Sequence, residues 1–182
     1  MMKIEDNFID QENFDELQTL IMSDRIDWNY RVGIDFEHEN KFMFTHMFYD
    51  NHCPQSEFME TLNPIFEIIQ PVSVWRTKAN LLTKTPNIVE NTFHVDMSFL
   101  SEEKLKQWTT SIFYINTNDG YTEFEDGTKI ESIANRMITF PANLKHTGTS
   151  CTNERTRVVI NFNYLENEMY KENYDYTKKK YQ

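Results

Sequence analysis

The stretch Thr92-Phe-His-Val-Asp-Met-Ser98 holds a histidine and an aspartate two residues apart. Side chains alternate between the two faces of a β-strand, so this spacing puts His94 and Asp96 on one face and Phe93 and Val95 on the other. The predicted strand therefore presents an imidazole and a carboxylate to the same point in space. Two ligands make a weak metal site by themselves, and the rest of the chain has to supply a third.

His146 is the preferred third ligand among the remaining histidines. It follows a predicted strand and precedes Thr147-Gly-Thr149, fifty residues after Asp96, where an antiparallel fold returns it to the first pair. Two histidines and one carboxylate on one side of a metal form the ligand set of non-haem Fe(II) oxygenases, because the remaining positions stay open for reactants. The other histidines are expected at the surface or in the core: His38, His46 and His52.

Arg157 begins the last strongly apolar segment of the chain. The even-numbered residues 158–164 are apolar or aromatic, whereas Arg157, Val159, Asn161 and Asn163 share the other face. A strand with one Arg and two Asn facing inward is expected to line a pocket, since buried polar groups need partners. An Arg in such a pocket suits bidentate binding of a carboxylate. Arg155 has the same parity about 7 Å along an extended strand and is the alternative.

His94-x-Asp96, His146 and Arg157, in this order, resemble the motif of the 2-oxoglutarate- and Fe(II)-dependent dioxygenases. The match is to the small prolyl-hydroxylase-like branch that tailed bacteriophages also carry, and it covers about residues 70–165. The resemblance implies a double-stranded β-helix, a cupin-like jelly roll within a mainly β, α+β fold, with N-terminal helices packed on the larger sheet.

Further segments carry the same resemblance. Ser111-Ile-Phe-Tyr-Ile-Asn116 is similar to the prolyl hydroxylase strand whose tyrosine binds the distal carboxylate of the co-substrate, and that tyrosine is Tyr114 here. Gly120-Tyr-Thr-Glu-Phe124 and Asn135-Arg-Met-Ile-Thr-Phe140 resemble the hairpin and strand that precede the distal histidine of the family. Asn80 matches a strand position that faces the iron and is, with Asn161 and Asn163, a candidate contact for co-substrate or substrate.

The resemblance implies a concrete chemistry. His94, Asp96 and His146 would hold Fe(II), while Arg157 and Tyr114 would hold the far carboxylate of 2-oxoglutarate. Dioxygen would be the second co-substrate, with ascorbate as an accessory reductant. The expected reaction hydroxylates an unactivated C–H bond and releases succinate and carbon dioxide. Halogenases of this family lack the carboxylate ligand, so halogenation is not expected.

Length, charge and cysteine content restrict the other possibilities. The 182 residues suit one domain, divided into N-terminal helical and strand support (1–71), a jelly-roll core (72–165) and a charged tail (166–182). A net charge of -11 disfavours general binding to nucleic acid. No apolar run is long enough for a membrane span, and two cysteines without motif spacing favour a reducing cytoplasm. For a phage gene, that is the cytoplasm of the infected bacterium.

The element pattern predicts helices before strands. Residues 8–22 form a predicted helix with Asp10 as N-cap, and a second helix opens at Ser56, is interrupted by Pro64 and stops at Pro71. Segments 27–30 and 41–49 are predicted strands. Short strands then follow one another, with hairpin signals between several of them: 72–82, 91–97, 108–116, 121–124 with 128–133, 136–140 and 157–164.

Several functions stay open at the level of sequence. The leading hypothesis is an oxygenase acting on a protein, peptide or small molecule, with peptidyl proline as the best single substrate. The second is a cupin-like metal-binding protein without turnover, which would need no anion clamp beside its metal. A third is oxidation of a nucleobase or a free small molecule. Residues 50–56 are a candidate lid over the pocket, and the sequence does not give the oligomeric state.

Overall fold

The computed structural model describes residues 2–32 and 41–167. In these residues the chain is mainly β, as predicted, with antiparallel strands in two sheets. The strands are β1 (Lys3–Asp6), β2 (Asn29–Val32), β3 (Phe42–Asp50), β4 (Cys53–Pro54), β5 (Ser73–Thr83), β6 (Thr109–Tyr114), β7 (Tyr121–Phe124), β8 (Lys129–Glu131), β9 (Arg136–Pro141), β10 (His146–Gly148) and β11 (Thr156–Leu165). The helices are α1 (Gln11–Ile21), a 3-10 turn (Met59–Leu62), α2 (Asn63–Ile69) and α3 (Glu102–Leu105).

The larger sheet has the strand order β1-β9-β6-β11-β5-β3-β2, with β4 paired to β3, and the smaller sheet has the order β10-β7-β8. Strand β11 lies at the centre of the larger sheet, between β5 and β6. It pairs with β5 over Thr156–Leu165, with a register shift between Asn163 and Tyr164, and with β6 over Val159–Tyr164. Both backbone edges of β11 are therefore paired along most of its length.

Helix α1 packs on the outer face of the larger sheet. It begins one residue after Asp10, whose carboxylate accepts a hydrogen bond from the Asn13 backbone N–H at 3.0 Å, so the predicted N-cap is confirmed while the predicted start at residue 8 is too early. Ile9 and Phe14, the two ends of the predicted hydrophobic staple, are both buried. The Phe14 ring meets Phe113 of β6 edge-on at 6.0 Å between centroids, which joins the helix to the sheet.

The second predicted helix is divided at its proline, as expected. The 3-10 turn ends at Leu62, and α2 begins at the next residue with Pro64 in its first turn, where the missing N–H costs no helical hydrogen bond. Gln70 ends α2 in the left-handed conformation, with φ of 39°. Buried Leu62 and Ile65 join the same core as α1, so both helices cover one face of the larger sheet.

A second apolar layer lies between the two sheets. Phe124 of the smaller sheet meets Phe140 of β9 edge-on, with ring centroids 4.9 Å apart. Tyr114 and Val159 belong to the same buried cluster, on the face of the larger sheet opposite the helices. The sheet is therefore covered by helices on one face and by the smaller sheet on the other.

Some sequence predictions differ from the structure. Strand β1 was missed because all four of its side chains are exposed, so it carries no alternating apolar pattern. The predicted strand 91–97 is not a strand: its pairing is reduced to a bridge at His94. Most of the predicted tail, residues 168–182, lies outside the described residues, and the division into support, core and tail stays a prediction. No helix in the described ranges is long and apolar enough to cross a membrane.

Replacing Phe14 by alanine is expected to lower the free energy of unfolding by about 3–5 kcal/mol, because it leaves a cavity between α1 and the sheet. Thr19→Ala, at an exposed position of the same helix, is the control and should change the free energy by less than about 0.5 kcal/mol. Urea denaturation followed by circular dichroism measures both. Equal effects of the two substitutions would contradict the packing role of α1.

Candidate active site

A pair of backbone hydrogen bonds brings the predicted metal ligands together. The His94 N–H donates to the His146 carbonyl and the His146 N–H donates to the His94 carbonyl, both at 3.0 Å. His146 begins β10, whereas His94 makes an isolated bridge and a turn begins at Asp96. The prediction of a strand around His94-x-Asp96 is therefore wrong. The turn, and not strand alternation, brings the Asp96 carboxylate to the side of the two imidazoles.

His94, Asp96 and His146 form a cluster whose potential ligand atoms all lie within 4.8 Å of one another. His94 Nδ1 lies 3.1 Å from the Thr92 carbonyl and His146 Nδ1 lies 3.2 Å from the Leu144 carbonyl. A carbonyl oxygen only accepts, so Nδ1 carries a proton in each ring. In the neutral ring this tautomer leaves the lone pair on Nε2, which is the form that binds a metal.

The His146 ring supplies a direct test of whether a cation fits. Its Nε2 atom is buried without a hydrogen-bond partner in the described chain, and burial lowers the pKa of the imidazole, which favours the neutral form. A buried acceptor without a partner is costly, and it lies within 4.8 Å of the buried Asp96 carboxylate. A divalent cation would satisfy both groups, so the donor set fits Fe(II) or a similar ion.

The Asp96 carboxylate is held by donors from two adjacent strands. Asn163 Nδ2 donates to Oδ2 at 3.0 Å, Asn161 Nδ2 lies 3.4 Å from the same oxygen, and Arg76 Nη2 lies 3.4 Å from Oδ1. Arg76 also donates to the Asp96 backbone carbonyl. Burial alone would raise the pKa of Asp96, but the Arg76 guanidinium and the hydrogen bond from Asn163 help to outweigh it, and the pKa stays well below its usual range. The carboxylate is ionised and fixed in orientation.

Asn161 and Asn163, predicted as co-substrate or substrate contacts, are thus placed against Asp96. Asn161 also lines the pocket, and its Oδ1 accepts a hydrogen bond from Asn80 Nδ2 at 3.3 Å. Asn80 Oδ1 is buried in the pocket wall without a partner in the described chain. Asn80 therefore keeps one acceptor available to a bound molecule.

Arg157 lies at the other end of the pocket from Arg76. Its side chain is 2% exposed, and it donates to the hydroxyl groups of Ser132 at 2.8 Å and Thr122 at 3.0 Å. No carboxylate of the described chain lies within 4 Å of it, and burial lowers the pKa of the guanidinium. A buried cation with only neutral partners is a strong attractor for an anion. Arg155, the alternative clamp, is exposed and does not line the pocket.

Tyr114 supports this end of the pocket from within the core. The Arg157 guanidinium carbon lies 5.6 Å from the centroid of the Tyr114 ring, and the phenol donates to Thr122 Oγ1 at 2.8 Å. Thr122 therefore accepts from both Tyr114 and Arg157, so its own hydroxyl proton is left to donate to a bound molecule. Burial raises the pKa of Tyr114, which keeps the phenol protonated.

These side chains line one cavity of about 340 Å³, large enough for a small dicarboxylate and a metal ion. Gly148 opens its wall next to the guanidinium, because a Cβ at this position would lie 3.2 Å from Arg157 Nη1. Leu82, Ile112 and Val159 supply apolar surface between the metal end and the Arg157 end. The cavity thus joins a cation site to an anion site across an apolar middle.

His46 and His52 do not line this cavity. Both ring nitrogens of buried His46 have partners, the Asp27 carbonyl and the Ser56 hydroxyl, each at 2.8 Å. His52 contacts the Trp75 ring edge-on. His38 lies outside the described residues. None of residues 50–56 lines the cavity, so a lid formed by this segment stays a prediction.

Sequence reasoning missed four polar side chains of the cavity, which are Arg76, Lys78, Asn91 and Thr122. Arg76 and Lys78 share a face of β5 with Asn80, so the alternation that identified Asn80 was a signal for them too. Thr122 carried no comparable signal, because its role depends on how β7 packs against β6 and β11.

Solved structures of three other proteins have the same architecture. The prolyl hydroxylase of Trichoplax adhaerens, in complex with a hypoxia inducible factor oxygen degradation domain peptide fragment, matches with a TM-score of 0.66 and 12% identity over 91% of this chain and 83% of that one. A Pseudomonas putida prolyl-4-hydroxylase matches with a TM-score of 0.54 and 11% identity over 91% of this chain and 92% of that one. HygX from Streptomyces hygroscopicus, with nickel, 2-oxoglutarate and hygromycin B bound, matches with a TM-score of 0.58 and 9% identity over 92% of this chain and 83% of that one.

The chain has the fold of the 2-oxoglutarate- and Fe(II)-dependent oxygenases. The predicted jelly roll with helices on its larger sheet is thereby confirmed. At the level of sequence, no protein-family model and no curated protein matches this chain. The likeness is therefore carried by the fold.

Asp96→Ala is expected to abolish stoichiometric binding of Fe(II) or Mn(II), because two imidazoles without the carboxylate form a weak and uncharged site. Anaerobic isothermal titration calorimetry measures the binding. Asp24→Ala removes an exposed carboxylate elsewhere and should leave the affinity unchanged. Unchanged metal affinity of Asp96→Ala would contradict the assignment.

Asn163→Ala is expected to weaken metal binding roughly 10- to 100-fold, because the Asp96 carboxylate loses its shortest side-chain hydrogen bond and its fixed orientation. Asn87→Ala, at an exposed position, is the matched control. The same calorimetric titration applies, after circular dichroism has established that both variants are folded. Equal metal affinity of the two variants would show that Asn163 serves only the core.

Proposed function

We propose that this protein is a non-haem Fe(II)- and 2-oxoglutarate-dependent dioxygenase that hydroxylates an unactivated C–H bond. One observation carries the proposal: a cluster of two imidazoles and a carboxylate shares a cavity with a buried arginine that has no carboxylate partner in the described chain. The cation site and the anion site together match a ligand that chelates a metal at one end and bears a carboxylate at the other. 2-Oxoglutarate is such a ligand.

His94, Asp96 and His146 would hold the iron on one side, and the cavity lies on its open side. When bound, iron and 2-oxoglutarate supply the activation of dioxygen and the oxidative decarboxylation that yields succinate and carbon dioxide. The protein's own contribution is orientation and electrostatics. The hydrogen bonds of Asn163 and Arg76 keep Asp96 ionised and aimed, and the backbone carbonyls beside His94 and His146 fix the tautomer of each ring.

Arg157 would bind the distal carboxylate of 2-oxoglutarate. Its Nη1 atom faces the wall that Gly148 leaves open, and the free hydroxyl proton of Thr122 offers a further donor. Tyr114 acts through Thr122, since its phenol is already engaged there. An ion pair in this buried position is strong because water is excluded, and the apolar surface of Ile112 and Val159 excludes it.

Peptidyl proline is the proposed substrate. Its support is the likeness of the fold to two prolyl hydroxylases, one of them in complex with a peptide fragment. A free small molecule is the second proposal, supported by the likeness to HygX with hygromycin B bound. Both cysteines are free thiols, Cys53 exposed and Cys151 buried, which supports the proposed cytoplasmic location.

The experiment that tests the reaction is an anaerobic titration followed by turnover. Fe(II) and 2-oxoglutarate are added without oxygen and the weak visible charge-transfer band is recorded. Air is then admitted and succinate is measured. Absence of the band and of 2-oxoglutarate-dependent succinate, with metal demonstrably bound, would contradict the proposal and leave the cupin-like binding protein without turnover.

Arg157→Gln is expected to raise the dissociation constant of 2-oxoglutarate roughly 10- to 150-fold, because charge-assisted hydrogen bonds worth about 1.5–3 kcal/mol are lost. The amplitude of the charge-transfer band against co-substrate concentration measures it. Arg155→Gln removes an equal charge two residues away at the surface and is the matched control. A larger effect of Arg155→Gln than of Arg157→Gln would reverse the assignment of the clamp.

A further inference from the structure

Lys78 is a cation in the cavity wall that the proposed chemistry does not use. It lies on β5 between Arg76 and Asn80, and all three side chains face the cavity. In the described part of the chain its ammonium group has no hydrogen bond and no carboxylate within 4 Å. The side chain is partly buried, so water replaces these partners only in part. A lysine in this setting is available to a ligand.

Charged side chains of both signs act on Lys78. Arg76 and Arg31 repel its ammonium group, while Asp96 and Asp50 attract it from a greater distance than an ion pair. Its pKa is lowered to about 8, first by burial and then by Arg76. The cation still predominates at neutral pH, but it is held at a cost in solvation that an anion close by would recover.

Binding of the metal ion and 2-oxoglutarate does not neutralise the positive charge of Lys78. A divalent metal ion and dianionic 2-oxoglutarate neutralise each other. Arg157 lies at the other end of the cavity. Of the described residues, the charged groups that act on Lys78 are Arg76 and Arg31 against Asp96 and Asp50. These four cancel, so the positive charge of Lys78 itself is left over. This excess stands out in a chain whose net charge is -11.

The register of the sheet separates Lys78 from the 2-oxoglutarate clamp. Lys78 lies opposite Asn161, which contacts Asp96, whereas Arg157 lies opposite Leu82. Four residues along an extended strand separate Lys78 from Leu82, which is about 13 Å. Lys78 is thus at the metal end of the cavity, and Met47 is its neighbour on β3. Lys78 and Arg157 therefore lie at opposite ends of the cavity.

We propose that Lys78 forms a recognition subsite for an oxyanion, a carboxylate or phosphate group, carried by the primary substrate. This inference rests on the proposed oxygenase function and names the class of its substrate: an anionic molecule, or a peptide with an acidic side chain near the oxidised residue. Arg76 has a different duty, since its guanidinium is occupied by Asp96 and Asn163. Lys78 is the group left to meet the substrate.

The first arm of the test separates substrate from co-substrate. 2-Oxoglutarate is titrated anaerobically into the Fe(II) protein, and Lys78→Met is expected to change its dissociation constant by less than twofold. A rise of tenfold or more would assign Lys78 to the co-substrate and overturn the proposal. Thermal denaturation of each variant establishes that it is folded.

The second arm uses inorganic phosphate as the probe. Phosphate is titrated into protein loaded with Mn(II) and 2-oxoglutarate, and the paramagnetic relaxation of its ³¹P resonance reports binding near the metal. The wild type and Lys78→Arg are expected to bind phosphate, and Lys78→Met at least tenfold more weakly. Lys84→Met removes an exposed lysine from outside the cavity and should behave as the wild type.

The outcomes are distinguishable. No phosphate binding by the wild type, or equal binding by Lys78→Met, overturns the subsite. Failure of the proposed function appears instead as absence of the 2-oxoglutarate charge-transfer band in the wild type. In that event the phosphate titration with Mn(II) alone still reports whether Lys78 binds an oxyanion.

Discussion

The alternation of side chains along β11 is the constraint on which the rest of the molecule depends. Val158, Ile160 and Phe162 pack into the core beneath the helices, while Arg157 and Asn161 face the cavity from the same strand. Both edges of β11 are paired, so the strand cannot rotate or slip by one residue without exchanging the two faces. The apolar face therefore fixes the position of the polar one, and the cavity inherits its geometry from the core.

Two buried charges of opposite sign lie in the cavity, and they are stabilised in different ways. Asp96 has an arginine and two asparagine side chains around it. Arg157 has hydroxyl groups only, from Ser132 and Thr122. The carboxylate is therefore largely compensated within the chain, whereas the guanidinium is not. This asymmetry agrees with the proposed function, in which Asp96 is a fixed metal ligand and Arg157 binds an anion from solution.

The sequence predicted those parts of the site that depend on local spacing. Arg157 follows from the parity of one strand, and His146 follows from its place after another. The strand predicted around His94 and Asp96 was wrong, because its pairing consists of one bridge followed by a turn, which two residues of separation do not reveal. The role of Thr122 could not be predicted for a related reason. Its hydrogen bonds to Tyr114 and Arg157 depend on how different strands pack together, and residue spacing within one strand does not indicate that packing.

Net charge bears on long-range interactions and not on the cavity. A net charge of -11 acts on a polyanion over its whole length, which is why the sequence predicts no general binding to nucleic acid. Salt screens that repulsion beyond about 10 Å, so it opposes the approach of a single small anion much less than that of a long polyanion. Inside the cavity the balance is decided by groups a few ångströms away, where Lys78 and Arg157 dominate because water is scarce. An acidic protein can therefore hold a site for anions, provided that its cations are placed on the walls of a pocket.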